Sequence, residues 1–500
     1  MAPRSSLPKV CIALGFADPI QLLAHAHAEY ASGERFLEFR LDYLPSPENG
    51  AKLIRDFLAK SSDCSVLATC RRHQNHGKYN GSIEEQVRIL EAAVEAGARA
   101  VDVEIETAEA AYPRLERLRA SSCLIISYHN YDGTPAMEPV LKRMMKFPAF
   151  AYKLVTTAKK PTDCQKVLAL SKGRQRDPLV LLTMGEMGFP SRVLSPALGA
   201  LYTYAAPNAA EGTAAGQVNA AQLRNLYRFD KFTKAAKIYG VIASPVRHSI
   251  SPAVHNRAFQ SKRLDAVYLP FLVQPIHLKD FMLLAAQMPV AGFSVTIPHK
   301  QKIIRYLDLV DPLARRIGAV NTVWKKAGRW RGTNTDVAGV TGPLSKKIRL
   351  PKAKILIIGN GGAARGAAFA LADAGAQVSI TGRNPDRVRA LAKICGATPI
   401  GRDQLKSMHF DALVHATPIG MHPHVEDCFF DGKIPADLVM DMVYNPLETQ
   451  LIHRAKDQGC EILLGLDMFL EQAAQQFTIW TGETAPKQIM ERAAREALGV

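Results

Sequence analysis

Residues 123–130 read CLIISYHN and residues 151–157 read AYKLVTT. Each is a short β-branched and aromatic run of strand length, and each is interrupted by an ionisable residue, His129 and Lys153. A strand buried on both faces reads as nearly continuous apolar residues, so both interruptions call for a reason. Working outward, the same kind of run recurs at 10–17 (VCIALGFA), 36–44 (FLEFRLDYL), 65–71 (SVLATCR) and 100–106 (AVDVEIE), then at 179–185 (LVLLTMG) and 200–205 (ALYTYA). Amphipathic stretches such as 82–97 and 211–228 lie between them. Eight strands alternating with helices in about 230 residues match the arithmetic of a (β/α)8 TIM barrel, whose usual size is roughly 250 residues. The alternative, an open doubly wound sheet, calls for a Gly-rich nucleotide turn after an early strand, and none occurs before residue 230.

The polar residues of these strands are Glu38, Arg40, Arg71, Asp102, Glu104, His129 and Lys153. They lie within strands or at their C-terminal ends, the face on which barrel active sites assemble. A single buried charge is equally explained by a satisfied structural pair; several strands sending ionisable groups toward one mouth describe a site. Lys153, flanked by Tyr152 and Leu154, is expected to be desolvated and to share its cavity with Arg40 and Arg71. Burial and neighbouring cations both favour a free amine, the form that attacks a carbonyl to give a Schiff base. His129, one strand earlier, is placed to act as base and acid on the carbon next to such an imine.

The stretches EFRLDYL (38–44), TCR (69–71), SYH (127–129), YKL (152–154), MGEMGFPSR (184–192) and TAAGQ (213–217) resemble type I 3-dehydroquinate dehydratase. The resemblance covers nearly all of residues 1–230. It implies that Lys153 forms the substrate imine and that His129 removes the α-proton and helps to expel water. Glu38 and Arg40 would hold substrate hydroxyls, with Arg71, Arg192, Thr213 and Gln217 completing the pocket. Arg192 suits a substrate carboxylate, which its fork binds bidentately. Two departures stand out. Where the family usually carries Glu-Gly-Gly, this chain has Asn75, His76 and Gly77, so a carboxylate is missing; and Thr213 replaces a common Ser.

Residues 229–236 (FDKFTKAA) read as a polar connector, after which a strand at 237–243 restarts the chain. The turn Ser249-Ile250-Ser251-Pro252 puts two hydroxyls at the mouth of a helix, which alone describes an N-cap. VTIPHK (295–300), GAVNT (318–322) and GTNTD (332–336) add Thr296, Lys300, Asn321, Asn334 and Asp336. Lys300 and Asp336 form an opposed pair able to pass a proton to and from a substrate hydroxyl, or else a surface salt bridge.

A second βαβ block begins at 354–359 (KILIIG) and runs to about 464. Its strand leads into Gly359-Asn360-Gly361-Gly362-Ala363, with a helix expected over 363–374, so free N–H groups at the helix start can receive a pyrophosphate. Some 20 residues on, where an NAD site places Asp or Glu on the ribose, this chain has Gly382, Arg383 and Asn384, with Arg387 beyond. Arginine there suits a 2′-phosphate, hence NADP. These motifs, with ATPIGM (416–421), DMVYNPLET (441–449) and GLDMFLEQAAQQF (465–477), resemble shikimate dehydrogenase over about 237–500. The resemblance implies that Ser249 and Ser251 bind the substrate carboxylate and that Lys300 and Asp336 are the catalytic pair. Thr296, Asn321, Asn334, Tyr444 and Gln472 would line the substrate pocket. Gly359, Asn360, Gly361, Gly362, Ala363, Arg383, Asn384, Arg387, Thr417, Met442 and Gly465 would hold the cofactor.

The expected organisation is a barrel over 1–230, a substrate-binding subdomain over 237–340 completed by helices in 465–500, and a Rossmann subdomain over 341–464. Dehydration of 3-dehydroquinate gives 3-dehydroshikimate, the ketone that the second half would reduce to shikimate, so both halves fit the bifunctional shikimate-pathway enzymes. Two other readings are a dehydrogenase carrying a non-catalytic barrel scaffold and a quinate dehydrogenase using NAD. Net charge is +17, of which +4 falls in residues 1–230 and +13 in residues 231–500. That asymmetry fits a polyanionic dinucleotide plus a carboxylate. With no run of like charges and no basic–aromatic interleaving, nucleic acid is not an expected partner. Eight cysteines without a C-x-x-C pair, no apolar run of membrane-spanning length and no leader in Met1–Lys9 point to a reducing, cytoplasmic setting. No metal is expected.

Overall fold

The structure, a computed structural model, describes residues 7–174, 177–208, 212–213 and 216–500. The first six residues of the expected barrel, and Ala214 and Ala215 of the TAAGQ run, lie outside the described residues. The chain divides into two compact units, Met1–Ala236 with Phe271–Pro289, and Lys237–Pro270 with Val290–Val500.

In the first unit the strands are β1 (Val10–Leu14), β2 (Phe36–Arg40), β3 (Ser65–Thr69), β4 (Ala100–Glu104), β5 (Cys123–Asn130), β6 (Ala151–Thr157), β7 (Leu179–Met184) and β8 (Thr203–Ala205). They form one sheet in the order β7-β6-β5-β4-β3-β2-β1-β8, with β1 parallel to both β2 and β8. Leu201 N donates to Leu179 O at 2.7 Å, bringing the approach to β8 back against β7 and closing the sheet into a TIM barrel.

Strand side chains alternate between the two faces, and that period sorts the barrel interior into layers. Phe36, Leu67, Ala100, Ile125, Ala151 and Val180 make an apolar floor. Two residues further along the same strands come Glu38, Thr69, Asp102, Ser127 and Lys153; two further again come Arg40, Arg71, Glu104 and His129. The intervening residues, such as Leu37, Phe39, Val66, Val101 and Leu154, are wholly buried behind the wall. The period that keeps the wall apolar therefore gathers the charged residues into two tiers above a dry base.

The helix Ile83–Glu95 starts on a capping box between Ser82 and Glu85. Among the described residues of the expected 211–228 helix, the helical element is a π-helical turn at Gln222–Leu226. Gly216 sits at φ +77°, a left-handed conformation that a right-handed helix cannot include.

The second unit holds two six-stranded sheets. The first contains β9 (Lys237–Ala243), β10 (Ala266–Leu272), β11 (Val290–Val295), β12 (Leu309–Val310), β13 (Thr322–Lys326) and β14 (Arg329–Thr333), in the order β10-β9-β11-β13-β14-β12. It is mixed, since β13 runs antiparallel to β11 and β14. The second contains β15 (Lys354–Ile358), β16 (Gln377–Thr381), β17 (Thr398–Pro399), β18 (Phe410–His415), β19 (Ala436–Asp441) and β20 (Glu461–Leu463), in the order β17-β16-β15-β18-β19-β20. All its pairings are parallel. The strand order reverses between β15 and β18, opening the crevice where Rossmann sheets take dinucleotides. After β20 the chain returns to the mixed sheet through the helix Gly465–Thr481, whose Trp480 Nε1 donates to Val323 O at 3.0 Å. Among the described residues, no helix is long and apolar enough to cross a membrane.

Candidate active sites

The upper tiers of the barrel meet as one bonded cluster. Lys153 Nζ lies 2.8 Å from Asp102 Oδ2 and 4.0 Å from Glu38 Oε1, and donates to Tyr204 OH at 2.9 Å. Asp102 Oδ1 accepts from Arg71 Nη2 at 2.8 Å and from Ser127 Oγ at 2.7 Å. Arg71 Nη1 reaches His129 Nδ1 at 2.8 Å. A guanidinium only donates, so Nδ1 is the acceptor there and the proton of the neutral ring sits on Nε2. Burial, joined by Arg71, Lys153 and Arg40, holds this imidazole well below its ordinary value, leaving it neutral. For Asp102, burial pushes the carboxyl up, but Lys153 and Arg71 outweigh it and keep the group below the usual carboxylate range.

Arg40 and Arg71 both act on His129 together with the amine, while the immediate charged neighbours of the amine are the carboxylates of Asp102 and Glu38. Arg40 is held by a fork to Asp42 at 2.8 and 2.9 Å and lies over the Tyr43 ring, while Arg71 is held by Asp102. Strand spacing locates a charge in a tier without naming its partner.

Of the other residues expected at this pocket, Glu38 lies on β2, Arg192 on a helix, and Thr213 and Gln217 in the chain after β8. Glu38 Oε1 accepts from Thr69 Oγ1 at 2.6 Å. Arg192 lies in the buried helix Phe189–Leu194 after β7, where burial pulls its guanidinium down to about 10. Thr213 abuts the end of β1: a Cβ added to Gly15 would stand 2.8 Å from Thr213 Cγ2 and 3.0 Å from the Tyr43 ring. Gln217 backs onto Gly212 in the same loop. Where a carboxylate is missing, Asn75 Nδ2 donates to Glu106 Oε2 at 2.9 Å. Its neighbour His76, at φ +59°, packs its ring 4.1 Å from that of Tyr131.

In the second unit, Lys300 Nζ donates to Asp336 Oδ2 at 2.6 Å. The pair is largely withdrawn from solvent, with side-chain exposures of 15% for Lys300 and 6% for Asp336, unlike a fully exposed surface salt bridge. Asn321 Nδ2 donates to Asp336 Oδ1 at 2.7 Å and approaches Gln472 Oε1 at 3.5 Å. Asn334 Oδ1 accepts from Asp336 N at 3.0 Å. Ser249 Oγ accepts from Ser251 N at 3.3 Å, while the helix Ser251–Ser261 is capped at Ile250 without a side-chain bond. The Ser249 hydroxyl thus accepts from one of the free N–H groups at the start of this helix. Thr296 follows the end of β11, and the Tyr444 ring lies 5.1 Å from that of Phe469, tilted by 44°, one turn before Gln472.

The nucleotide crevice is shaped by glycines. Gly359 is at φ +128°, and a Cβ there would lie 2.7 Å from Ala416 O, so no other residue fits. Gly361 caps the helix Gly362–Asp373, with nothing within 4 Å of an added Cβ; its side toward a ligand is open. A Cβ on Gly362 would meet Lys300 Cδ at 3.4 Å, so the nucleotide turn and the Lys300–Asp336 pair are adjacent. Arg383 and Arg387 are exposed beyond β16. Asn384 caps the helix Pro385–Cys395 by accepting from Arg387 N at 3.1 Å. Thr417 Oγ1 is fixed 2.6 Å from His415 Nε2, and His415 Nδ1 lies 2.9 Å from Asp441 Oδ1. Met442 N donates to His415 O, and Gly465 allows the close approach of Val443 and Met442 backbone.

Asp102, Ser127, Tyr204, His415 and Thr335, whose Oγ1 accepts from Asn321 Nδ2 at 3.1 Å, are parts of these networks to which the sequence assigns no role. Asp102 alone leaves a signal there, a carboxylate in an apolar strand. Among the described residues, no group of three or more His, Cys, Asp or Glu is arranged to hold a metal ion.

Comparison with known proteins divides the chain between residues 234 and 241. The family model for type I 3-dehydroquinase matches residues 10–234. Those for the shikimate dehydrogenase substrate binding domain, shikimate/quinate 5-dehydrogenase and the shikimate 5′-dehydrogenase C-terminal domain match 241–323, 344–425 and 465–495. The chain is 32% identical over 510 residues to the chloroplastic bifunctional 3-dehydroquinate dehydratase/shikimate dehydrogenase of Arabidopsis thaliana, spanning 96% of this chain and 83% of that protein. It is 39% identical over 274 residues to the shikimate dehydrogenase (NADP(+)) of Bacillus cereus strain B4264, spanning 53% of this chain and 99% of that one. A solved shikimate 5-dehydrogenase from Thermus thermophilus, in complex with NADP(H) and shikimate, is 34% identical over 52% of this chain and 99% of its own, with a TM-score of 0.49.

Proposed function

The chain belongs to the bifunctional 3-dehydroquinate dehydratase/shikimate dehydrogenase family, and from that premise we propose that it converts 3-dehydroquinate to 3-dehydroshikimate in its barrel and reduces that ketone to shikimate with NADPH in its second half. The modules are the barrel over 1–230, the substrate-binding subdomain over 237–340 with 465–500, and the Rossmann subdomain over 341–464. The single observation that carries the reading is the amine of Lys153, held 5% exposed between carboxylates at the barrel mouth and joined through Asp102 and Arg71 to a neutral imidazole.

In the dehydration, Lys153 captures the ketone carbon, with loss of the carbonyl oxygen as water. His129 then removes the adjacent proton. At rest its Nδ1 is committed to Arg71, so the ring becomes a base when a substrate oxygen takes over the Arg71 donor. The proton it gains leaves with the substrate hydroxyl as water, and hydrolysis of the imine returns the lysine. Glu38 and Arg40 hold substrate hydroxyls; Arg192, Thr213 and Gln217 hold the remainder, Arg192 taking the carboxylate.

In the reduction, Ser249 and Ser251 hold the substrate carboxylate, and Thr296, Asn321, Asn334, Tyr444 and Gln472 orient the ring. Lys300, paired with Asp336, delivers the proton to the new hydroxyl oxygen. The glycine turn fits a pyrophosphate, because Gly359 tolerates no Cβ and Gly361 leaves its ligand side open. Gly362 and Ala363 add their N–H groups, Asn360, Asn384, Thr417, Met442 and Gly465 shape the crevice, and Arg383 with Arg387 takes a 2′-phosphate. When bound, NADPH supplies the hydride.

Borohydride reduction in the presence of 3-dehydroquinate is expected to leave an adduct on Lys153, read by peptide mass. An adduct of equal yield in Lys153→Ala refutes the assignment. Lys300→Ala is expected to lower turnover by roughly 10²–10⁴-fold, as for other acid–base groups, with NADPH binding within a few-fold of the unaltered chain. Equal losses of both refute its proton-transfer role.

A further inference from the structure

We propose that Asp102 is the counter-ion of the protonated imine formed at Lys153, and so a catalytic residue of the dehydration; the inference rests on the Lys153 assignment above.

Three elements hold this carboxylate in place. Oδ1 is fixed by Arg71 from β3's end and by Ser127 on β5, which leaves Oδ2 turned to Lys153 Nζ on β6 at 2.8 Å. The Asp102 side chain is fully buried, so water does not compete for it. Glu38, the other carboxylate near the amine, stands 4.0 Å away and is already bound by Thr69. Asp102 is therefore the anion in direct contact with the reacting nitrogen.

The chemistry needs an anion there throughout. An ammonium and a ketone combine to give an iminium and one water; the C=O bond is replaced by C=N, and one positive charge is present before and after. The carboxylate that stands 2.8 Å from Nζ thus pairs the iminium once it has formed. The cationic form is the productive one, since it draws in the electron pair released when His129 removes the adjacent proton. In a buried site a cation without a counter-charge loses its proton, and a neutral imine is a poor electron sink. The tether Asp102–Arg71–His129 also sets the counter-ion and the base in one rigid line across β3, β4 and β5.

The test uses the full chain and follows borohydride trapping of Lys153 with 3-dehydroquinate across pH, because borohydride reduces the iminium and spares the neutral imine. In the unaltered chain, trapping is expected to persist to about pH 9; a decline centred near neutrality overturns the proposal. In Asp102→Asn the midpoint of trapping is expected to move to lower pH by about one unit or more, with kcat for enone formation at pH 8 down on the order of 100-fold and KM within about 3-fold. Asp102→Glu is expected to keep the unaltered midpoint. A midpoint in Asp102→Asn equal to that of the unaltered chain overturns the proposal, whatever the loss of rate. Shikimate dehydrogenase activity and circular dichroism of the same samples report that each variant is folded. If Asp102→Asn does not accumulate, the profile of the unaltered chain decides alone. Absence of any adduct on Lys153 in the unaltered chain removes the imine reading itself, a result distinct from a shifted midpoint.

Discussion

His255 is a titratable side chain that the chemistry does not use. It is fully buried, stacks on Tyr268 at 4.5 Å and lies 5.1 Å from Trp480, and burial pulls its imidazole down to about 3. The unfolded chain, with histidine near 6.5, binds this proton more readily than the native state does. The native state therefore has its full stability above pH 6.5 and loses it as pH falls from there toward about 3. Between pH 7 and 5 the loss is on the order of 2 kcal/mol. A melting temperature measured by dehydrogenase inactivation is expected to drop over that interval, and the drop to shrink in His255→Gln. At this scale Lys153 and His129 were legible because each breaks an apolar strand. The partners of Lys153 were not, because Asp102 and Glu38 come from strands far away in sequence and only pairing places them beside it.

At the scale of elements, local patterns were the readable ones. The β15–glycine–helix turn is encoded within a dozen residues, and the helix Gly362–Asp373 starts within one residue of its expected position. Gly359→Ala is expected to weaken NADPH binding by at least 10-fold, since its Cβ would press on Ala416 O and its φ is one that alanine avoids. Dehydratase activity in the same preparation is expected to be unchanged; isothermal titration with NADPH and an enone assay read both. The 211–228 stretch misled because its alanines and leucines carry helical spacing while Gly216, at φ +77°, forbids the helix. Ser249 suited a cap by residue type, and its hydroxyl does accept from Ser251 N at the helix start, one position before the Ile250 cap.

For the whole molecule, the two activities are expected to be separable by single substitutions. In a coupled assay from 3-dehydroquinate and NADPH, Lys153→Ala stops the sequence before the enone appears, and Lys300→Ala lets enone accumulate without NADPH oxidation. Loss of both activities in either variant contradicts independent sites. Eight strands and a second βαβ block were countable from the sequence. The grouping of 271–289 with the first unit was not, because it arises from contacts between residues far apart in the chain, which spacing does not encode.

The barrel's bonded cluster is drawn from β2, β3, β4, β5, β6 and β8, with Glu38 and Tyr204 far apart in the unit's sequence. No fragment shorter than nearly the whole ring contains it, and the ring is joined where Leu201 meets Leu179. Enzymatic competence of this half is thus an all-or-none property of a finished circle, whereas the nucleotide turn is assembled from neighbours in sequence. Contacts of long sequence separation form slowly, so after dilution from denaturant the return of enone production is expected to lag behind the return of nucleotide fluorescence enhancement.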